Sequence, residues 1–257
     1  MTKNSERELR RLIVKACAAL CQKNLVAATD GNVSARCGPD RVLVTPSGLS
    51  KGDVRAADIV VCDLEGRKIR GRGEISTEVH VHLAAYRARA DIGAVVHAHP
   101  PIATAFTIAG AQALLAEPVI PEVVHQIGAI PTVPYVTPGT RALAEALGRY
   151  IKKCDVVLLA QHGAVAVGKD PWAAYLRMEK LEHTACILRA ARELAGGERG
   201  VRRLTAAEVM ELHASYSRQN RQLLKKINAA CAGGLDAEDR KMLEDMRRRQ
   251  RNILDKW

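Results

Sequence analysis

Two histidines lie two residues apart at the end of the apolar run AVVHAHP, residues 94–100. A run of this kind predicts a β-strand, and side chains two positions apart on a strand share a face, about 6.5 Å apart at the backbone. His97 and His99 could therefore bind one metal ion together. The same spacing is also a common accident on strands, so the spacing alone leaves both interpretations open.

A third histidine favours the metal. His162 ends a second apolar run, DVVLLAQHG, immediately before Gly163, where a tight turn can aim a side chain inward. Three neutral imidazoles with an open coordination position are a usual arrangement for catalytic zinc. The sequence therefore predicts a divalent metal site formed by His97, His99 and His162.

The pair His80 and His82 has the same spacing but falls in a predicted helix. Two residues on a helix are separated by about 200° of rotation, so these two rings cannot bind one ion together. His82 is expected to be packed and hydrogen-bonded, and His80 to lie on the opposite side. His125, His183 and His213 show no partner pattern and are expected to be structural.

Three polar turns indicate an anion-binding pocket: TDGNVS at 29–34, TPSG at 45–48 and IST at 75–77. Hydroxyls and free amides at turns, and at the start of a helix, attract anions. Each turn alone is also an ordinary turn, and Ser76 or Thr77 is the expected N-cap of the helix that follows. Glu78 is either a carboxylate favoured by the helix dipole in the first turn or a carboxylate facing the metal.

The elements that must position these residues alternate along the first 170 residues. Helices are predicted at 5–24, 76–90, 101–110, 139–154 and 171–196, with short strands at 28–48, 57–71, 92–100 and 155–168. Only helices follow. We expect one α/β domain, residues 1–200, with a helical C-terminal extension, residues 201–257.

Composition excludes several classes of protein. The 257 residues are 47% hydrophobic, enough for a large core, yet no apolar run approaches the length of a membrane span. The N-terminus is charged where a signal peptide would be apolar, and the seven cysteines contain no C-x-x-C pair, so we expect a reduced, cytoplasmic protein. Cys17 and Cys21 fall one helical turn apart, a spacing more typical of an apolar helix face than of half a metal site.

A net charge of +11 would suit nucleic acid, but aromatic residues are only 3% and cannot provide stacking platforms for single strands. The basic C-terminal helices are expected to be a solvated surface rather than a nucleic-acid interface. A positive field also suits a small anionic substrate.

Five motifs in order, GNVS, TPSG, STE, HAH and QHG, resemble the class II aldolase/adducin family. The resemblance covers roughly residues 6–195 and is most specific to the zinc-dependent L-fuculose-1-phosphate aldolases. It implies a single αβα domain around a central mixed, largely antiparallel sheet. It also implies a C4 homotetramer with active sites between subunits.

The resemblance assigns roles to individual residues. His97, His99 and His162 would bind Zn²⁺, with Mn²⁺ or Co²⁺ as possible substitutes, and Glu78 would ligate the resting metal and act as the catalytic base once substrate displaces it. The phosphate-binding positions of the family match Asn32, Ser47, Gly48, Ser76 and Thr77, with Thr29 nearby. The implied reaction is reversible cleavage of a ketose 1-phosphate to dihydroxyacetone phosphate and a short aldehyde.

The chain departs from the fuculose-phosphate aldolases in one segment. They use a tyrosine from a neighbouring subunit as an acid, and residues 116–128 contain none. Glu122 either reaches a neighbour's site instead or is simply exposed, and Tyr216 is the candidate match for a terminal tyrosine.

Alternatives remain within the fold. Ribulose-phosphate 4-epimerases typically carry Asp in place of Glu78, which argues against that activity. A dehydratase of the methylthioribulose-1-phosphate type and a metal-dependent decarboxylase can both keep the histidines. An adducin-like scaffold would lack the metal site, whereas all three histidines and Glu78 are present here.

Overall fold

The computed structural model describes residues 5–216, and they divide into two compact units. The main unit comprises residues 5–116 and 130–201, and the small unit comprises residues 117–129 and 202–216. The boundary expected at residue 200 stays a prediction. The helices expected beyond residue 216, and Cys231, lie outside the described residues.

The longer helices occupy the positions that the apolar periodicity predicts. In the main unit they are α1 (Glu6–Gln22), α2 (Val79–Ala88), α3 (Pro101–Ile108), α4 (Ala113–Ala116), α6 (Arg141–Ile151) and α7 (Pro171–Leu194). The small unit contains α5 (Pro121–Gln126) and a C-terminal helix, α8, at 206–216. The short helices α4 and α5 lie where the sequence predicts no particular element.

α1 shows why the periodicity is informative. The hydroxyl of Ser5 accepts a hydrogen bond from the backbone N–H of Glu8 at 3.2 Å, so the helix is capped as predicted. Its buried side chains are spaced three or four residues apart and include Leu9, Ile13 and Cys17. Cys17 thus belongs to an apolar helix face.

The main unit is built on one sheet of eight strands. They are β1 (Asn32–Arg36), β2 (Arg41–Val44), β3 (Val60–Asp63), β4 (Lys68–Arg70), β5 (Ala94–Ala98), β6 (Thr132–Val133), β7 (Val156–Leu159) and β8 (Gly163–Gly168). The strand order is β4-β3-β2-β1-β5-β8-β7-β6. Only the β6–β7 pair is parallel among the described strands, which confirms the predicted mixed, largely antiparallel sheet.

Helices pack on the sheet in two groups. One group is α2 and α6, which contact each other and share a core with β5, β7 and β8; the other is α1, α3 and α7. Val95 of β5 belongs to the α2–α6 core. Because side chains alternate along a strand, His97 faces the same side. This arrangement confirms the expected αβα layering.

Strand register places polar residues beside His97. In the antiparallel pair β1–β5, Asn32 lies opposite His97, and Ser34 lies opposite Val95. Residues directly opposite each other in such a pair point to the same face. Asn32 and Ser34 therefore also face α2, so the sheet carries a small polar cluster beneath that helix.

The start of α2 differs from the prediction. The sequence predicts Ser76 or Thr77 as the N-cap, but the helix begins at Val79, and Glu78 occupies the cap position without a side-chain cap. Ser76 instead closes a turn: its hydroxyl accepts from the N–H of Glu78 at 3.2 Å, and its carbonyl accepts from Val79 at 3.0 Å. This turn leaves the carboxylate of Glu78 free to point away from the helix backbone.

Candidate functional site

His97 lies inside β5, with its ring held in one orientation. Its Nδ1 donates to the carbonyl of Ala164 on β8 at 2.9 Å, because a carbonyl oxygen can only accept. With Nδ1 bonded to this carbonyl, Nε2 is the nitrogen that faces the other histidines and is available to a metal. His97 is 1% exposed, so water does not compete with the Ala164 carbonyl for Nδ1.

His99 lies one residue beyond the end of β5. Its Nδ1 is 3.4 Å from a carboxylate oxygen of Asp30, and its Nε2 is 3.2 Å from Nε2 of His97. A carboxylate on one nitrogen of an imidazole orients the other nitrogen toward a metal. Burial, followed by the charges of His97 and His162, lowers the pKa of His99 to about 4, so this ring is neutral at pH 7.

His162 lies in the turn between β7 and β8. The turn is held from α3, where the hydroxyl of Thr107 accepts the backbone N–H of Gln161 at 2.9 Å; Gln161 itself has φ of 56°. The residue after His162 must be glycine, because a Cβ on Gly163 would lie 2.4 Å from the carbonyl oxygen of Ala98. The two strand ends can approach closely, and His162 faces the other two rings.

The three imidazoles converge on one point. Their ring centroids are 4.8 to 5.0 Å apart, and one ligand nitrogen from each lies within 4.8 Å of the others. Two nitrogens bound to one tetrahedral zinc at the usual bond length are about 3.3 Å apart. The 3.2 Å between the Nε2 atoms of His97 and His99 matches that spacing. The donor set thus fits a borderline metal ion such as zinc.

Glu78 completes the group. Its carboxylate oxygens lie 3.1 Å from Nε2 of His162 and 3.4 Å from Nε2 of His97. Burial alone would raise the pKa of Glu78, but hydrogen bonds and charge interactions with His162 and His97 outweigh it and hold the pKa well below its usual value. The sequence left two interpretations of Glu78 open. In the structure, its carboxylate faces the histidines.

A pocket of about 400 Å³ opens beside this group. It is lined by all six residues expected to bind phosphate: Thr29, Asn32, Ser47, Gly48, Ser76 and Thr77. Glu78 and His99 line it as well, so the three polar turns and the histidine cluster form one site. The pocket is also lined by Asp30 of the first polar turn and by three residues that no motif indicated: Lys51, Pro138 and Gly139.

Lys51 is the most informative of the missed residues. It is only 2% exposed, and its ammonium donates to the carbonyls of Thr29 at 2.9 Å and Leu49 at 2.6 Å. It thereby ties the first polar turn to the segment that follows the second. Burial lowers the pKa of Lys51. In the sequence, Lys51 is simply a lysine three residues after TPSG. Nothing there distinguishes it from a lysine on the surface.

His80 and His82 lie as predicted. His82 is fully buried and hydrogen-bonded, with Nδ1 2.7 Å from the hydroxyl of Ser34, whereas His80 is half-buried on the outer part of α2. Of the three histidines expected to be structural, His183 is exposed, and His125 and His213 are half-buried in the small unit.

Glu122 and Tyr216 both belong to the small unit, whereas the histidine cluster belongs to the main unit. Glu122 is exposed in the first turn of α5, and the ring of Tyr216 stacks on His125 with centroids 3.5 Å apart. The roles expected for these two residues stay predictions. Within residues 5–216, no helix is both long and apolar enough to span a membrane.

Comparison with known proteins adds independent evidence. Residues 11–188 match the family described as Class II Aldolase and Adducin N-terminal domain. A 3-oxo-tetronate 4-phosphate decarboxylase from Pectobacterium atrosepticum is 35% identical over 211 residues, covering 81% of this chain and 94% of that protein. An L-fuculose phosphate aldolase from Methanococcus maripaludis is 36% identical over 172 residues, covering 67% and 91%.

The fold has close counterparts among solved structures. YgbL from Klebsiella pneumoniae, described as an aldolase, epimerase or decarboxylase, superposes with a TM-score of 0.73 at 33% identity, covering 81% of this chain and 99% of that one. The sequence resemblance and the predicted fold are both confirmed. The chain belongs to the class II aldolase/adducin family and is an enzyme of its carbon–carbon lyase type.

Proposed function

We propose that the chain is a zinc-dependent aldolase that reversibly cleaves a ketose 1-phosphate, similar to L-fuculose 1-phosphate, into dihydroxyacetone phosphate and a short aldehyde. One observation carries this proposal. The carboxylate of Glu78 lies between two imidazoles of a three-histidine group, at the wall of a pocket lined with hydroxyls and one buried ammonium. Such a site can hold a phosphate at one end and move a proton at the other.

His97, His99 and His162 would hold the metal, one ion per chain, with Mn²⁺ or Co²⁺ as possible substitutes. When bound, a divalent ion supplies a Lewis acid that stabilises negative charge on the oxygens of a substrate. The residues around the histidines contribute orientation. The Ala164 carbonyl and the Asp30 carboxylate each take one ring nitrogen, leaving the opposite nitrogen facing the shared point.

Glu78 would be the proton-transfer group. Cleavage of a ketose 1-phosphate turns the hydroxyl of the departing carbon into the aldehyde carbonyl, which releases a proton. It also leaves an electron pair on the carbon beside the ketose carbonyl, and that carbon must then gain a proton. A carboxylate positioned beside the reacting carbon can deliver and remove this proton. Glu78 is ionised in the site, and its two oxygens face His97 and His162, so it would also ligate the resting metal until substrate displaces it.

The polar turns would bind the phosphate. The hydroxyls of Ser47, Ser76 and Thr77, the amide of Asn32 and the backbone at Gly48 line the pocket. Hydrogen bonds to a phosphate far from the reacting carbons position the substrate without touching the bond that breaks. Thr29 would contribute indirectly, because its carbonyl accepts a hydrogen bond from Lys51 and so orients that side chain at the pocket.

Lys51 would supply the charge. Among the described residues that line the pocket, it is the one lysine or arginine, and His99 is neutral. Lys51→Met is expected to weaken inhibition by inorganic phosphate about 10-fold or more, because a hydrogen bond to a charged group contributes about 1.5–3 kcal/mol. KM should rise more than kcat falls. Steady-state kinetics with phosphate as competitor measures both.

Lys68→Met provides the matched control for Lys51, because Lys68 lies outside the pocket and pairs with the exposed Glu74. Ser47→Ala serves as a second variant that removes one hydroxyl without removing a buried charge. If a folded Lys51→Met enzyme bound phosphate as tightly as the Lys68→Met enzyme, Lys51 would have no part in anion binding.

Decarboxylation of a 3-oxo-acid phosphate is the second candidate. It is favoured by the longer alignment with the decarboxylase, 211 residues against 172 for the aldolase. It also agrees with the lack of tyrosine in residues 116–128, where fuculose-phosphate aldolases are expected to provide an acid. Both reactions break a bond to the carbon beside a carbonyl and leave an electron pair there, so the same site could serve either.

A substrate panel distinguishes the two reactions. Metal-loaded enzyme is incubated with L-fuculose 1-phosphate and, separately, with 3-oxo-tetronate 4-phosphate. Release of dihydroxyacetone phosphate from the first supports the aldolase, and release of carbon dioxide from the second supports the decarboxylase. If the enzyme is equally active on a dephosphorylated sugar, the phosphate pocket is misassigned.

A homotetramer is part of the proposal, since the family resemblance implies active sites shared between subunits. Light scattering at working enzyme concentration is expected to give four times the 27.9 kDa chain mass. A fully active monomer would remove the shared site. The cytoplasmic location stays a prediction from the composition of the chain.

A further inference from the structure

A line of hydrogen bonds leads from Glu78 into the core beneath α2. Nδ2 of Asn32 lies 3.3 Å from a Glu78 oxygen, and Oδ1 of Asn32 is hydrogen-bonded to Nε2 of His82. Nδ1 of His82 lies 2.7 Å from the hydroxyl of Ser34, which lies 2.8 Å from the hydroxyl of Tyr86. Four hydrogen bonds thus connect five side chains from β1, α2 and the turn before α2.

The direction of every bond follows from the carboxylate. Ionised Glu78 can only accept, so Asn32 must present its NH₂ group to it, and this turns the amide oxygen toward His82. That oxygen can only accept, so Nε2 of His82 carries the proton. Nδ1 then accepts from the hydroxyl of Ser34, whose oxygen accepts in turn from Tyr86.

The buried position makes the direction strict. His82, Ser34 and Asn32 are 0%, 0% and 4% exposed, so water does not offer an alternative partner. Burial and, to a smaller extent, the charge of His97 lower the pKa of His82 to about 3, so the ring is neutral at physiological pH. A neutral ring has one donor and one acceptor, which is what the two neighbours require.

The alternative tautomer would be costly. If Nδ1 carried the proton, Nε2 could only accept, and Asn32 would have to turn its NH₂ group toward His82. Its amide oxygen would then face the Glu78 carboxylate, placing two acceptors against each other in a buried site. Leaving buried acceptors without a donor costs roughly 1–3 kcal/mol per group, and more where a charge is involved.

We propose that His82, with Ser34 and Tyr86 behind it, is a positioning residue that holds the Asn32 amide in the orientation that donates to Glu78. The inference rests on the proposed function only in taking Glu78 as the reacting carboxylate. His82 does not touch the substrate pocket, and its effect passes through Asn32. The amide in turn keeps one Glu78 oxygen fixed beside His97.

His82→Leu tests the role, because leucine fills similar space and removes both ring nitrogens. We expect kcat to fall about 10–100-fold and metal affinity to weaken by a similar factor, as is typical for groups that orient metal ligands, with a smaller change in KM. His82→Gln should recover part of the loss, since its NH₂ group can still donate to Asn32. Metal affinity is measured by competition with a chelator, without turnover.

His80→Gln is the matched control. His80 lies two residues away on the same helix, half-buried and outside the hydrogen-bonded line, so kcat and metal affinity should stay at wild-type values. Thermal melting of each variant separates a loss of folding from a loss of orientation. Tyr86→Phe, which removes only the last hydroxyl, should give a smaller effect than His82→Leu.

Nitrogen NMR of the wild-type protein reads the tautomer directly. Long-range ¹H–¹⁵N correlation should show His82 neutral with its proton on Nε2 and Nδ1 as an acceptor. A proton on Nδ1 would overturn the inference, as would folded His82→Leu enzyme with wild-type kcat and metal affinity. If the wild-type enzyme acts on no substrate in the panel, the proposed function fails, whereas the tautomer and the metal affinity still decide the role of His82.

Discussion

Replacing Glu78 with glutamine is expected to lower kcat by roughly 10²–10⁴-fold, the usual effect of losing a general base. Glutamine keeps the shape of the side chain but cannot take up a proton at neutral pH. The three histidines remain, so much of the metal should stay bound. Steady-state kinetics together with metal analysis of the same sample measures both quantities.

Glu74→Gln is the control for this variant. Glu74 precedes Glu78 by four residues, its side chain is 83% exposed, and its partner is Lys68 on the surface. The Glu74→Gln enzyme should retain wild-type kcat. If Glu78→Gln keeps wild-type kcat with the metal in place, Glu78 does not move the proton, and another group must be sought among the residues that line the pocket.

Removing one imidazole is expected to have the second largest effect. His162→Ala should lose the metal, with an affinity loss of more than about 100-fold, and with it nearly all activity, because two histidines cannot hold the ion as three do. The fold should survive, since His162 lies in a turn rather than in the hydrophobic core. Metal content after dialysis and thermal melting are the measurements.

His183→Ala is the matched control, because His183 is an exposed histidine on α7. Metal content and activity should both be unchanged there. Full metal occupancy in folded His162→Ala protein would show that the metal site is misassigned. Loss of metal from the His183 variant as well would point to an effect of purification rather than of the site.

The sequence predicts the fold well because its apolar periods are clear. The apolar stripe on α1 repeats every three or four residues, which fits a helix. The apolar runs before His97 and around Gly163 are short and fit strands. The three histidines could be grouped because each ends an apolar run. Their common position in space also needs β5 and β8 to be neighbours, which the family resemblance implies and periodicity alone does not.

The missed features depend on cross-strand register and on turn geometry. Asn32 can meet His97 only because β1 pairs with β5 in one register, and no local pattern encodes a pairing between strands about sixty residues apart. Lys51 is buried only because two turns fold over it. The N-cap of α2 was predicted wrongly because the Ser76 hydroxyl is used within its own turn, a competing bond common for serine.

Hydrogen exchange on dihydroxyacetone phosphate tests the central claim, that Glu78 beside three metal-binding histidines moves a proton at the carbon next to a carbonyl. Metal-loaded enzyme is incubated with this compound in D₂O, without aldehyde, and followed by proton NMR. The account predicts that one of the two hydrogens beside the carbonyl, on the carbon bearing the free hydroxyl, is replaced by deuterium, and that Glu78→Gln loses this exchange. Metal-loaded wild-type enzyme that leaves both hydrogens in place, and forms no ketose 1-phosphate when a short aldehyde is added, would contradict it.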